Sequence, residues 1–260
     1  MNSDDTPPLF GTIAFDILAG VGLLTRLPAP VDPGRAAARG AAAAWAWPVA
    51  GAIVGAAAAL AGSMALWLGV PLGIAAAVVL ACQMVVTGAL HEDGLADSAD
   101  GLWGGWDKAR RLAIMKDSHI GTYGVLALMI VTLMRWSALT VVLGHGAQWW
   151  VLIAAGALSR APMAVLMAAL PNARGSGLSQ SVGRPGRAVA GRGVLLALVV
   201  GSLCLHLGVV AAALAVAVVC VAVALIARAK IGGQTGDILG ASQQLAEVVV
   251  LACAAAHLGA

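Results

Sequence analysis

Residues 194–227 read VLLALVVGSLCLHLGVVAAALAVAVVCVAVALIA, a run without one Asp, Glu, Lys or Arg. A barrel strand alternates apolar and polar residues, and this run does not, so it is helical; it also exceeds the ~20 residues a helix needs to cross a bilayer. It is read as two crossings that turn near Gly208, because charge elsewhere favours that choice. With seven spans, at about 41–68, 72–90, 122–143, 148–170, 194–208, 210–227 and 241–258, the segments 25–40, 91–121, 171–192 and 228–240 fall on one side. They hold 13 of the 15 Lys and Arg residues, and the connectors near 70, 145 and 209 hold none. One tilted helix over 194–227 would move Arg228 and Lys230 to the other side. The asymmetry places the polar segments in the cytoplasm.

The composition agrees. The chain is 61% hydrophobic and 10% charged, carries 33 glycines, and has a mean hydropathy of +0.94. This excludes an ordinary soluble domain and implies an all-α, polytopic integral membrane bundle of about seven spans, organised as one domain over residues 1–260. Cys82, Cys204, Cys220 and Cys253 lie in apolar runs without CxxC spacing and read as small membrane hydrophobes. The start, Met1 to Pro8, is acidic and lacks the basic region of a signal peptide. Phe10, Ile13, Ile17, Val21 and Leu24 form an apolar stripe interrupted by Asp16, too short to span comfortably. Residues 1–40 are therefore expected to be a tail and an interfacial helix, which ends at Arg26-Leu27-Pro28-Ala29-Pro30 because proline cannot continue a helix.

Against this background one polar island stands out, from Thr87 to Gly124. It holds half of the chain's twelve acidic residues. Its centre is His91-Glu92-Asp93-Gly94-Leu95-Ala96-Asp97-Ser98-Ala99-Asp100-Gly101. Asp93, Asp97 and Asp100 stand at i, i+4 and i+7, so a helix would align all three carboxylates on one face. Like charges so close repel unless a cation sits among them, and oxygen-only ligands suit Mg²⁺, which keeps waters and binds substrate phosphates. The alternative is a solvated face neutralised by Lys108, Arg110, Arg111 and Lys116; it leaves the glycines and Lys116-Asp117-Ser118 unexplained.

Three other features carry charge. Arg135 and Arg160 lie inside the third and fourth spans, where an unpaired arginine is expensive, so each is expected to meet Glu247 or a substrate phosphate. Arg174, Arg184, Arg187 and Arg192 crowd the glycine-rich segment 171–192, read either as anchors on anionic headgroups or as a basic lid over a polyphosphate. Gly232-Gly233-Gln234-Thr235-Gly236-Asp237 allows close approach of backbone to a ligand, or simply caps a helix with Asp237.

Together with Ile114-Met115-Lys116-Asp117-Ser118-His119-Ile120-Gly121-Thr122-Tyr123-Gly124 and Leu158-Ser159-Arg160, these motifs make the chain resemble the cobalamin synthase family, the adenosylcobinamide-GDP ribazoletransferases. The resemblance runs from about Thr25 to the C-terminus. One departure is His119, where the family's pattern is expected to have arginine. The resemblance implies a Mg²⁺-dependent enzyme of the bacterial inner membrane. It would join adenosylcobinamide-GDP to α-ribazole or its 5′-phosphate, the last step of vitamin B12 assembly, and release GMP.

In that frame Glu92, Asp93, Asp97 and Asp100 are candidate metal ligands, and residues 91–121 are the cytoplasmic catalytic segment. Lys116, Arg110 and Arg111 would assist the leaving phosphate, with His91 or a carboxylate as general base. Asp117, Ser118, Arg160, Arg174, Gly232, Gly233 and Asp237 are candidate substrate contacts. No nucleic-acid partner is implied, and self-association is left open.

Two other readings share features. A CDP-alcohol phosphotransferase would begin Asp-x-x-Asp-Gly, as Asp97, Asp100 and Gly101 do, but Gly104-Gly105 stand where Ala-Arg belongs. A transporter would place its charges near the bilayer midplane rather than at one face.

Overall fold

The computed structural model describes residues 9–259; residues 1–8 and 260 and the side chains of Leu9 and Phe10 lie outside the described part. Among the described residues the protein is a bundle of α-helices without a named strand. The helices are α1 Leu9–Leu24, α2 Pro33–Arg39, α3 Trp47–Trp67, α4 Leu72–Thr87, α5 Leu90–Gly104, α6 Lys108–Ile114, α7 Thr122–Gly144, α8 Gln148–Ala169, α9 Leu178–Val182, α10 Arg187–Leu205, α11 Gly208–Ile231 and α12 Gly236–Leu258. A 3₁₀ turn over Gly40–Ala46 leads α2 into α3.

Six segments are long and apolar enough to cross a membrane. A seventh crossing arises if α4 and α5 are taken as one broken span, bent by 90°. The 194–227 run does divide in two, and its turn falls at His206 and Leu207, with Gly208 opening the second helix; α10 begins earlier than expected, at Arg187. Lipid exposure is written on α11. Val210, Leu214, Val218, Val221 and Leu225 recur at helical spacing and are all more than half exposed, as an apolar face that meets acyl chains must be.

α8 is the most enclosed of the apolar helices. Its close crossing with α3 depends on glycine at the contact. A Cβ at Gly51 or Gly156 would collide with the facing helix's carbonyl, and Gly55 faces the backbone of Leu152 in the same way. Helices in lipid gain stability through such packing, since lipid tails are as apolar as the side chains.

α1 packs against α3 and the 3₁₀ turn. Its one acid, Asp16, is buried and accepts hydrogen bonds from Arg39 and from Trp45 Nε1 at 2.8 Å, so the charge that interrupts the apolar stripe is neutralised by a residue beyond the proline turn.

The four polar segments meet at one end of the bundle. Arg26 N–H donates to the Val86 carbonyl at 2.7 Å, Arg111 donates to the Lys230 carbonyl at 3.0 Å, and Lys230 Nζ donates to the Leu102 carbonyl at 2.8 Å. The Pro171 carbonyl accepts from Gln234 N–H, and the Gln234 carbonyl accepts from Ala173 N–H, which ties the loop after α8 to the loop before α12.

Candidate active site

The site begins at the α4–α5 bend. Gly88 and Ala89 both adopt left-handed backbone, φ 65° and 55°, and two consecutive residues there turn the chain through the 90° between the helices. Gly88 does so without strain; Ala89 carries the modest cost of a Cβ in that region. α5 therefore leaves the axis of α4 rather than continuing the crossing. It then passes α12 at Gly94 and Gly240. A Cβ at Gly94 would lie 2.8 Å from the Asp237 carbonyl and 3.1 Å from Gly240 Cα, so glycine at both positions lets the two backbones touch.

That contact brings α5's carboxylates beside the start of α12. Asp93 is exposed, Asp97 half-buried, and Asp237 mostly buried. The Asp97 carboxyl is pushed up to about 7, first by burial and then by the negative charges of Asp93 and Asp237, against the opposing charge of Arg174. Arg174 donates to Asp237 Oδ2 at 2.7 Å. Its own loop is shaped by the Asn172 side chain, whose Oδ1 accepts from Arg174 and Gly175 N–H while its Nδ2 donates to Ser179.

A cleft of about 130 Å³ opens beside this cluster. His91, Asp93, Arg174, Ser176, Ser179 and Asp237 supply its polar lining; Leu23, Trp47, Met163, Met167 and Leu178 supply an apolar one. His91 is 1% exposed, and its Nε2 has no protein partner.

Not every residue singled out in the sequence joins this site. Glu92 turns inward and accepts from Arg135 at 3.1 Å. Asp100 accepts from Gly121 N–H at 2.7 Å and Gly124 N–H at 2.9 Å, so its carboxylate satisfies the first donors of α7. The three-carboxylate face expected from i, i+4, i+7 spacing is thus divided: Asp93 and Asp97 face α12 and Asp100 caps a helix.

Arg160 is buried and bonded to Glu247 Oε2 at 3.4 Å and to the Gly156 carbonyl, away from the cleft lining. The choice left open for Arg135 and Arg160 falls to Glu247, which serves both. Arg110, Lys116, Asp117 and Ser118 are exposed outside the cleft lining, and Arg111 is held by Lys230. His119 pairs with Asp117 at 2.7 Å, which raises the imidazole and lowers the carboxyl. Gly232 turns the chain at φ 76°, and Gly233 lies against the Pro171 carbonyl, so both dock the Asp237 loop.

A second, deeper polar layer escaped the sequence reading. Gln83, Ser159, Gln243 and Gln244 are buried and join Arg135, Arg160, Glu92 and Glu247 in one hydrogen-bonded network across α4, α5, α7, α8 and α12. Two guanidinium groups meet two carboxylates, so the network is neutral within the bundle. Its signal was present: Gln83 interrupts an apolar helix, and Gln243 stands four residues before Glu247.

Among the described residues no three His, Cys, Asp or Glu side chains gather tightly enough to form a ready-made metal site. The remaining donors still suit a cation that takes one or two carboxylates and completes its shell with water and substrate phosphate. Asp93, Asp97 and Asp237 crowd enough negative charge to hold Asp97 partly protonated at neutral pH, which a divalent ion would relieve.

Fold and site define a polytopic helical membrane protein with a carboxylate and arginine cleft at one end of its bundle. The model of the cobalamin-5-phosphate synthase family matches residues 16–255, and the chain belongs to that family. It is similar to the adenosylcobinamide-GDP ribazoletransferase of Bradyrhizobium diazoefficiens, 44% identical over 87% of this chain and 88% of the relative. The proteins of that name from Mesorhizobium japonicum and a Sinorhizobium species are 39% and 41% identical, covering 94% and 93% of this chain and 93% and 96% of their own. No solved structure matches the chain.

Proposed function

We propose that this protein transfers the adenosylcobinamide phosphate of adenosylcobinamide-GDP to the hydroxyl of α-ribazole, or of its 5′-phosphate, releasing GMP. The observation that carries the reading is the meeting of Asp93, Asp97, Asp237 and Arg174 beside a cleft that buried His91 also lines, in a chain of this family. The acceptor hydroxyl forms a bond to the phosphorus that bears the cobinamide, and the bridging P–O bond to GMP breaks. Phosphoryl transfer of this kind needs positioning and charge compensation more than covalent help.

Arg174 is the cation placed to bind diphosphate oxygens, and its bond to Asp237 holds the guanidinium at the cleft. Asp93, exposed on the cleft lining, is the candidate acceptor for the hydroxyl proton, with His91 on the same lining as the alternative. Asp93 and Asp97 would hold Mg²⁺, with the charge of Asp237 nearby; when bound the ion would neutralise charge on the diphosphate and on departing GMP. Glu92 and Asp100 act one step back, anchoring α5 to α7 so that the carboxylates keep their orientation.

The protein belongs in a bacterial inner membrane with the cleft facing the cytoplasm. Thirteen of 15 basic residues sit in the four segments at the cleft end, and the positive-inside rule sets that end inward. The test is turnover: membranes containing the protein are given adenosylcobinamide-GDP and α-ribazole with Mg²⁺ or with EDTA. Joint, metal-dependent formation of GMP and a cobalamin is expected; no product from well-inserted protein overturns the reading.

A further inference from the structure

Taking the carboxylate site proposed above as given, we infer that Arg135 is a positioning residue for it. Arg135 lines no part of the cleft. Its guanidinium fixes the rotation of α5 against α12, and so where Asp93 and Asp97 stand relative to Asp237.

Arg135 lies on α7, 1% exposed, and its one guanidinium joins three other helices. Nη1 donates to Glu92 Oε1 of α5 at 3.1 Å and to Gln244 Oε1 of α12 at 2.7 Å. Nη2 donates to Gln83 Oε1 of α4 at 2.9 Å and to Glu247 Oε1 of α12 at 3.1 Å. The planar fork holds these directions together, so α5 cannot turn about its own axis without breaking the bond to Glu92. Glu92 is the residue before Asp93. At the other end of α5, Asp100 is held by the Gly121 and Gly124 amides of α7. Asp93 and Asp97 therefore lie between two directional clamps, Glu92 and Asp100, about 12 Å apart along α5 at the helical rise.

The other contacts of α5 with α12 set distance more than rotation. Gly94 lies on the backbone of Asp237 and Gly240, and glycine has no side chain to interlock. Leu95 packs with Val131, Ala241 and Val248, an apolar contact without direction. Stability alone is a weak reason for the cation, because a buried ion pair gains little beyond its own desolvation and apolar residues of similar volume often serve as well. Arg160 gives a contrast inside the same network. It is 2% exposed, and its bonds go to Glu247, Ser159 and the Gly156 carbonyl, on α8 and α12 and not on α5.

Calorimetric titration of the detergent-solubilised protein with Mg²⁺ separates positioning from charge. Loss of a cation near Asp93 and Asp97 would by Coulomb attraction alone tighten Mg²⁺ binding, whereas a loosened α5 weakens it. The doubly substituted Arg135→Gln, Glu92→Gln protein stays neutral in the network and leaves Arg160 matched to Glu247. Arg135→Gln and this double variant are each expected to raise the Kd for Mg²⁺ about tenfold or more, the scale of losing a group that orients metal ligands. In the turnover assay kcat falls with it, while the KM for α-ribazole stays within about twofold. Arg135→Lys keeps the charge without the fork and restores part of the affinity. Gln244→Leu removes one of the four bonds without touching a charge and is expected to raise the Kd about two- to threefold. Arg160→Gln is expected to lower thermal stability and leave the Kd within about twofold.

Unchanged Mg²⁺ affinity in the double variant and in Gln244→Leu, or tighter binding in Arg135→Gln, overturns the assignment and leaves Arg135 a counter-charge. Equal weakening in Arg160→Gln overturns it too, since general loosening of the network then explains the effect. Where the charge variants fail to insert, Gln244→Leu decides in the same terms. Wild-type protein that binds Mg²⁺, is weakened as expected by the double substitution, yet makes no GMP supports the positioning role and overturns the proposed reaction.

Discussion

Arg174, on the loop after α8, donates to the carboxylate of Asp237 at the start of α12, 2.7 Å away across 63 residues of sequence. The bond joins the basic loop to the glycine-rich one and leaves a cation facing two aspartates of α5. Replacing Arg174 by Ala frees the loop and leaves Asp237 beside Asp93 and Asp97 without compensation. Loss of a partly buried, charge-assisted pair costs about 2–5 kcal/mol of binding in comparable settings. A fall in kcat/KM for adenosylcobinamide-GDP of at least about thirtyfold is expected, read from GMP release; Arg174→Lys restores little, since lysine lacks the planar fork.

Asp97→Asn keeps the size of the side chain and removes its charge. Turnover is expected to fall by about 10²- to 10³-fold, the scale of losing a group that compensates transition-state charge. Insertion stays as in the wild type, and thermal unfolding of the detergent-extracted protein shows stability equal to or above it, since a crowded negative charge is removed. Near-normal turnover would remove Asp97 from the metal and phosphate site.

The same carboxyl makes metal binding depend on pH. Asp97 is held at about 7 by burial and by Asp93 and Asp237, so below that pH it carries a proton and above it a charge. The metal requires the anion, so Mg²⁺ affinity rises from pH 6 to pH 8 and each binding event releases fewer protons as pH rises. Calorimetry at three pH values in buffers of different ionisation enthalpy measures both. Flat affinity across the interval contradicts the crowded arrangement.

Gly94 has a structural reason that the sequence alone does not state. Its hydrogen faces the Asp237 carbonyl and Gly240 Cα, backbone atoms that cannot swing aside. Gly94→Ala is expected to destabilise the protein by about 1–3 kcal/mol and to lower activity by separating Asp93 and Asp97 from Asp237. A variant with wild-type melting and turnover would show the crossing to be looser than this.

Glu247 answers both intramembrane arginines. Glu247→Ala leaves Arg135 with Glu92 alone and Arg160 without a carboxylate, at a cost of about 3–5 kcal/mol. Thermal unfolding in detergent reads this loss directly, and Glu247→Gln recovers part of it by keeping one acceptor oxygen, for either Gln83 or Gln243.

Hydropathy along the chain by itself determined the all-α membrane bundle, the division of residues 194–227, and the gathering of the basic segments at one end. These follow from local quantities: length of apolar run, charge between runs, and residues that cannot continue a helix. The periodicity of α5 likewise determined that Asp93 and Asp97 share a face, because i and i+4 are neighbours on any helix.

What that face meets was decided only by tertiary structure. The left-handed pair Gly88 and Ala89 aims α5 across α12, and Gly94 against Gly240 sets the approach, so Asp237 joins Asp93 and Asp97 while Asp100 is drawn to the amides of Gly121 and Gly124. Glu92, one residue from Asp93, is rotated about 100° around the helix and falls to Arg135. Spacing along a helix fixes which side chains lie together, but the partner of each depends on which backbones come close enough to touch, and that is a property of the packed bundle.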